Sequence, residues 1–218
     1  KALKLEEVRY YFLIILVATG IIFMNLLQTS MGIWDSLRHA AFQVATIITT
    51  TGYSTVDFNA WCQTSKTVLV LLMFVGACAG STGGGIKVGK ELQSYIHPKS
   101  IKKINIDKKP VEHDVVRATN VYFITFVILF VASVFLISFE DKDLVTNFTA
   151  VAATINNIGP GLDLVGPTQN FDCFSAPSKY VLIFDMLAGR LELFPLLILF
   201  HPVMLRQFFI RKKKTNKK

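Results

Sequence analysis

Thr49-Thr50-Thr51-Gly52-Tyr53-Ser54 decides how the rest of this chain is read. It closes the stretch Trp34–Thr51, whose polar end leaves too short an apolar run to cross a bilayer core of about 30 Å. Backbone that leaves a helix at membrane depth is tolerated only where protein buries it or where it lines a water-filled cavity. A helix that stops part-way and runs out as Thr-Thr-Thr-Gly-Tyr-Ser fits that exception. A cation losing its water there needs oxygen ligands. Successive carbonyls of Thr50, Thr51 and Gly52 can supply them, with threonine hydroxyls as further acceptors. Glycine suits the position because carbonyls aligned along a pore ask for backbone angles that a Cβ resists.

Outward from that stretch the composition is that of a bilayer protein. Of 218 residues, 52% are hydrophobic and 17% charged, with a mean hydropathy of +0.47. Soluble domains carry about 25% charged residues. Four apolar segments are read as spanning, roughly Tyr10–Leu27, Val68–Ala79 with its continuation, Tyr122–Phe139 and Tyr180–Phe200. The first exceeds a signal-peptide core of about 7–15 residues, so it is not read as a leader. A start at Lys1 rather than Met suggests a fragment or processed chain.

The net charge of +8 does not point to nucleic acid. Of the 23 Lys and Arg, 18 fall in three blocks, within 1–9, 87–117 and 206–218, each flanking an apolar segment. The positive-inside rule asks this of cytoplasmic segments. The tail Arg211-Lys212-Lys213-Lys214 reads as solvated or facing anionic lipid. Thr55–Ser65 and Leu162–Ser178 contain no Lys or Arg. The expected topology has both ends of this chain in the cytoplasm.

A second copy of the opening stretch follows. Leu144–Ile158 is again short, and leads into Asn156-Asn157-Ile158-Gly159-Pro160-Gly161. Val44-Ala45-Thr46-Ile47-Ile48 lines up with Val151-Ala152-Ala153-Thr154-Ile155 at an offset of 107, and Ser65-Lys66 with Ser178-Lys179 at 113. At the latter offset Met73 meets Met186 and Gly76 meets Gly189. The six extra residues fall between turn and helix, where an insertion costs little. The fold expected is therefore an all-α membrane protein of two tandem helix–pore-loop–helix repeats with re-entrant selectivity-filter loops. The first unit is 1–110, with an intramembrane loop at 76–87 and a cytoplasmic connector at 88–110. The second is 111–218, ending in the basic tail. Asn157, Ile158 and Gly159 take the places of Thr50, Thr51 and Gly52.

Four of the six residues Gly80–Gly85 are glycine. Each costs about 1 kcal/mol in a helix relative to alanine, so the second spanning helix should unwind there. Close helix packing is the alternative, although packing motifs space small residues a turn apart. Gly84 to Lys90 also matches G-x-x-x-x-G-K, the phosphate-binding loop, which would make the chain an ATP-binding membrane enzyme. Glu91 stands where that loop needs Ser or Thr for magnesium, and an apolar helix replaces the preceding strand. An enzyme is not expected.

Lesser features have plain readings. Cys62, Cys78 and Cys173 lack metal-ligand spacing. A Cys62–Cys173 disulfide stays open, with free thiols favoured because few cysteine pairs meet the geometry. The four histidines are scattered, and no cofactor site is evident. Trp34 and Trp61 read as interface anchors. Asn147-Phe148-Thr149 is a glycosylation sequon inside an expected pore helix, hence accidental. Asp185, Arg190 and Glu192 are charges at membrane depth, which usually face a cavity or a partner. Pro195 should bend that helix.

At Thr49–Ser54, Cys78–Lys87 (Cys-Ala-Gly-Ser-Thr-Gly-Gly-Gly-Ile-Lys), Asn157–Gly161 and Gly189-Arg190-Leu191-Glu192, the chain resembles the Trk/Ktr/HKT superfamily of potassium transporters, in particular its TrkH/KtrB-type membrane subunits. The resemblance covers nearly the whole chain. It implies a pore of four helix–loop–helix repeats, of which two are present, so that the missing N-terminal repeats or another chain complete the filter. A non-conducting structural half-subunit is the remaining alternative. The resemblance further implies a gate formed by Gly80, Gly83, Gly84, Gly85 and Lys87 beneath the filter. Arg190 would be an electrostatic barrier below it or a structural ion-pair partner. It implies potassium as the transported ion, a bacterial inner-membrane location and a homodimer. It also implies a cytosolic nucleotide-binding regulatory subunit of the RCK/TrkA/KtrA type, docking on the connector and the tail. Pro160 departs from the pattern, since the first turn has Tyr53 after its glycine.

Overall fold

The computed structural model describes residues 6–29, 31–76, 86–87, 105–106, 109–110 and 113–190. Six helices carry the described fold. They are α1 Glu6–Leu26, α2 Ile33–Ile48, α3 Gln63–Phe74, α4 His113–Ser138, α5 Leu144–Ile155 and α6 Ala176–Arg190.

Two of them are membrane helices by composition and by environment. Val8–Leu26 and Val121–Ser138 are long and apolar enough to cross a bilayer, and only 11% and 17% of their apolar windows are buried. A core helix of a soluble protein would be apolar because protein covers it. Here Leu13, Leu16, Val17 and Met24 on α1, and Ile128, Val131 and Phe135 on α4, face outward. Such a surface suits lipid or further helices.

The shorter α2 and α5 behave differently. In α2 the buried residues Ser36, Ala40, Gln43, Val44 and Ile47 recur at helical spacing, and Asp35 sits favourably in the first turn. In α5 nearly every residue from Thr146 onward is buried, and Asp143 caps the start by accepting the Val145 N–H at 3.0 Å. Helix α1 packs on α2 and α3, while α4 and α6 flank α5. The halves meet where α3 touches α5. There Ala152, Ile158 and Leu162 join the first unit's core of Ile22, Val44, Ile47, Leu69 and Met73. Phe74, Phe130 and Phe148 seal this seam with edge-on ring pairs at 5.5 and 5.1 Å.

Three expectations need correction. The second spanning segment was placed at Val68–Ala79 with its continuation, but α3 ends at Phe74. Twelve residues rise about 18 Å, roughly half a bilayer. The helix breaks at Val75, a β-branched residue in extended conformation ahead of Gly76, before the glycine run is reached. Val75–Gly76 then pairs in parallel with Ile86–Lys87, setting Gly76 beside Lys87. With the antiparallel pair Asn105–Ile106 and Lys109–Pro110, these two-residue ladders are the extended pairing among the described residues.

Trp61 is the second correction. It is only 8% exposed and packs on Phe58 in the core, so it is no interface anchor, whereas Trp34 is 83% exposed. The third concerns the helix ends, since α2 and α5 stop at Ile48 and Ile155, three residues short of the segments read from sequence. Cys62 and Cys173 are free thiols. Asn147 is buried within α5. The bend at Pro195, Glu192 and Cys78 lie outside the described residues.

Candidate functional site

Helices α2 and α5 end in the same way, bond for bond. Thr49 N–H donates to Ala45 O at 3.0 Å, and Asn156 N–H to Ala152 O at 3.3 Å. Thr50 N–H reaches Ile47 O at 3.0 Å, and Asn157 N–H reaches Thr154 O at 2.9 Å. Thr51 N–H reaches Thr46 O at 2.8 Å, and Ile158 N–H reaches Ala153 O at 2.8 Å. Gly52 and Gly159 N–H groups point at those same last two carbonyls, at 3.3 and 3.4 Å. The 6→1 and 5→2 bonds make each end a Schellman closure, which needs a left-handed residue just past the helix. Thr50 at φ 54° and Asn157 at φ 55° fill that place. Gly52 and Gly159 follow at φ 82° and 113°.

This arrangement consumes N–H groups and spares carbonyls. All six N–H groups from Thr50 to Gly52 and from Asn157 to Gly159 are turned back onto their helices. Among the described residues, none of the six carbonyl oxygens accepts a protein hydrogen bond. The helix C-termini behind them carry partial negative charge, and neither has a basic residue in its last turn. Carbonyl oxygens free of protein donors, at the negative ends of two helices, form a site suited to a cation.

The turns also touch. A Cβ on Gly52 would overlap the Ile158 carbonyl oxygen and lie 3.2 Å from its carbon and 3.5 Å from Pro160 Cδ. Gly52 therefore answers two demands at once, a positive φ and a close approach of backbone to backbone. Gly159 answers only the first, since nothing lies within 4 Å of its built Cβ.

Side chains that sequence reading passed over fasten these turns. Gln43, fully buried, donates through Nε2 to Ser54 Oγ at 2.6 Å, and Ser54 Oγ donates to Val56 O at 2.7 Å. In the second half Thr149 Oγ1 donates to Val145 O at 2.7 Å and accepts the Leu162 N–H at 3.0 Å. Asn157 Nδ2 donates to Met186 O at 3.0 Å, tying the second turn to α6. The signal available for Gln43 was its polarity, a lone amide within an apolar stretch that no charge pattern explained.

Of the other sequence-derived positions, Gly80, Gly83, Gly84 and Gly85 lie outside the described residues, as does most of the phosphate-loop-like stretch from Gly84 to Lys90. Lys87 is placed beside Gly76 by the parallel ladder. Gly189 packs on the end of α5, where a Cβ would overlap Ile155 O and lie 3.0 Å from Asn157 Nδ2. Arg190 follows it, exposed. Asp185, one turn earlier, is fully buried and accepts Ser133 Oγ at 2.7 Å, so α4 rather than Arg190 supplies its described partner. Among the described residues no group of three His, Cys, Asp or Glu could hold a metal.

A family model described as "TrkH: Cation transport protein" matches residues 7–212. The chain belongs to the TrkH family. It is similar to the Trk system potassium uptake protein TrkH of Salmonella typhimurium, 35% identical over 189 residues, covering 80% of this chain and 39% of that protein. The TrkH protein of Vibrio parahaemolyticus is 37% identical over 183 residues, 79% of this chain and 37% of its own length. The crystal structure of the potassium transporter TrkH from that organism superposes with a TM-score of 0.77 at 34% identity, over 92% of this chain and 45% of that one. The chain thus spans about two fifths of the length of the TrkH relatives it matches. TrkH is a family of membrane transport proteins rather than enzymes, and its helical fold is the all-α architecture expected from the sequence.

Proposed function

We propose that this chain supplies two strands of the selectivity filter of a potassium uptake protein. Carbonyls of Thr50, Thr51 and Gly52, and of Asn157, Ile158 and Gly159, replace the water shell of the passing ion. The observation that carries this reading is the pair of turns, alike in their backbone bonds and in contact at Gly52 and Ile158. Potassium as the ion follows the names of the relatives. No residue performs covalent chemistry, and no cofactor beyond the transported ion takes part. The remaining strands come from further repeats of the same polypeptide or from another chain.

Residues 1–110 and 111–218 are the two repeats. Gly80, Gly83, Gly84, Gly85 and Lys87 form a gate under the filter. The early end of α3 and the pairing of Gly76 with Lys87 support this. Arg190 is a cationic barrier at the same level, supported by the packing of Gly189 on the end of α5. The basic blocks put both ends of this chain on the cytoplasmic side of a bacterial inner membrane. There the 88–110 connector and the tail receive a cytosolic nucleotide-binding subunit, and a second copy completes a homodimer. Rubidium uptake by the complete transporter tests the reading. Gly52→Ala and Gly159→Ala should each depress it, and full uptake by both at normal membrane abundance would refute the filter.

A further inference from the structure

The loops that follow the two turns are joined by side chains, with Thr168 Oγ1 donating to Asp57 Oδ2 at 3.4 Å and the Asn59 carboxamide making two bonds. Asn59 Oδ1 accepts the Asp163 N–H at 3.0 Å, and Asn59 Nδ2 donates to Asp163 O at 3.1 Å. Both polar atoms of a carboxamide are spent on one residue of the neighbouring repeat, which fixes the amide orientation without ambiguity. Each partner is itself pinned. The Asn59 N–H donates to Asp57 Oδ1 at 3.0 Å, and Asn59 O accepts Lys66 Nζ of α3 at 3.3 Å. Asp163 Oδ2 accepts Thr146 Oγ1 of α5 at 2.8 Å, and Asp163 itself sits at φ 54°.

The clasp runs one way. At the 107 offset the counterpart of Asp163 is Val56, whose carbonyl is taken by Ser54 and Gln43 of its own repeat. The counterpart of Asn59 is Gly166, which lacks a side chain and lies against the Asn59 amide. A Cβ there would overlap Nδ2 and sit 2.9 Å from Cγ. Asn59 lies seven residues beyond Gly52, and Asp163 four beyond Gly159. A polar bridge therefore runs from α3 through Asn59 and Asp163 to α5, between the segments that follow the two turns.

We propose that Asn59 is a positioning residue for ion selection, setting the separation of the neighbouring filter strands. This rests on the filter reading above. In the cavity-size account of selection, a site held at fixed width disfavours a smaller ion, and one that can close around that ion does not. Loss of the clasp should therefore let sodium compete with potassium.

The test measures the ratio of sodium to rubidium uptake by the complete transporter in proteoliposomes, a quantity independent of how much protein folds. Asn59→Ala, which removes both bonds to Asp163, should raise the ratio at least about fivefold, the factor corresponding to one ordinary hydrogen bond. Asn59→Asp, which keeps an acceptor for the Asp163 N–H, should raise it less. Gly166→Ala, displacing the amide from the other side, should reproduce the Asn59→Ala ratio. An unchanged ratio in all three, with uptake falling only in step with protein amount, would overturn the proposal. Gly52→Ala separates the levels: if it too leaves uptake and ratio intact, the filter reading fails, whereas if it alone abolishes uptake, only the role of Asn59 does.

Discussion

Thr50–Gly52 and Asn157–Gly159 leave their helices through the same four hydrogen bonds, yet they are held afterwards by unrelated means. The first turn is fastened within its own repeat, by Gln43 and Ser54. The second is fastened by Thr149 from its own helix, by Asn157 to α6 and by Asn59 from the preceding repeat. The two ends thus share their backbone bonds and differ in their supports. Hydrogen bonds between main-chain groups do not depend on side-chain identity, so Val-Ala-Thr-Ile-Ile and Val-Ala-Ala-Thr-Ile make equal closures. Supports built from side chains carry no such protection.

The glycines offer the largest test of this asymmetry. Alanine at Gly52 meets both a left-handed φ and the Ile158 backbone, which together should cost about 2–5 kcal/mol. At Gly159 only the φ penalty remains, about 1–3 kcal/mol. Thermal unfolding of the two variants in detergent should show the larger drop for Gly52→Ala. Equal drops would mean that the contact between turns is absent in the working protein.

Next in size are the private fastenings. Gln43→Ala removes the Ser54 bond and leaves a buried space, at about 2–3 kcal/mol. Thr149→Val keeps the shape but orphans the Leu162 N–H, at about 1–3 kcal/mol. Hydrogen exchange should locate each effect, with faster exchange at residues 51–56 in the first variant and at 158–162 in the second. Exchange that rises in both turns whichever fastening is cut would show that the supports are shared after all.

A smaller effect concerns the left-handed residue itself. Asparagine tolerates that conformation, and a β-branched threonine resists it. Thr50→Asn should therefore raise stability by about 1 kcal/mol, and the reverse change, Asn157→Thr, should lower it by more, because the Met186 bond also goes. A destabilised Thr50→Asn would point to an interaction of the threonine that outweighs its strain.

These tests follow the line between what the sequence disclosed and what it hid. The two helix ends and the membrane class were legible, because backbone closures and apolar runs leave local patterns. So was the break in the second spanning helix, which falls one residue ahead of the loop expected at 76–87. The glycine run drew attention to Gly80–Gly85, while the turn out of helix fell at Val75, where a β-branched residue precedes Gly76. Asn59, Gln43, Thr149 and Ser133 were invisible as supports, since their partners lie 104, 11, 13 and 52 residues away with no motif between them. Trp61 shows the converse, an aromatic whose type suggested an interface and whose neighbours made it core.

The smallest effect separates the repeats at the start of α3 and α6. At the 113 offset Cys62 and Ser175 occupy equivalent places before their helices. Cys62 makes no side-chain cap bond to a backbone N–H of α3, and its thiol meets Ser65 Oγ at 3.3 Å, with no carboxylate involved. At α6, Glu140 from the end of α4 accepts the Ser175 N–H at 3.1 Å on each carboxylate oxygen, and the Ser175 hydroxyl as well. Partial burial pushes the Glu140 carboxyl upward, but the donors at Ser175 and Ser178, with Lys142 nearby, outweigh it and hold the carboxyl below its ordinary 4.5. A carboxylate whose pKa is depressed by folding adds stability above its unfolded value and loses it as pH falls through the folded one. The start of α6 should therefore loosen below about pH 4.5 while the start of α3 does not, read as hydrogen exchange at residues 175–178 against 62–65 across that range. Glu140→Gln, which keeps one acceptor and removes the charge, should leave exchange at 175–178 faster than normal at neutral pH and abolish its acid dependence. If the acid dependence persists in that variant, some other carboxylate governs the helix start, and the two halves differ less at this end than in the fastenings of their turns.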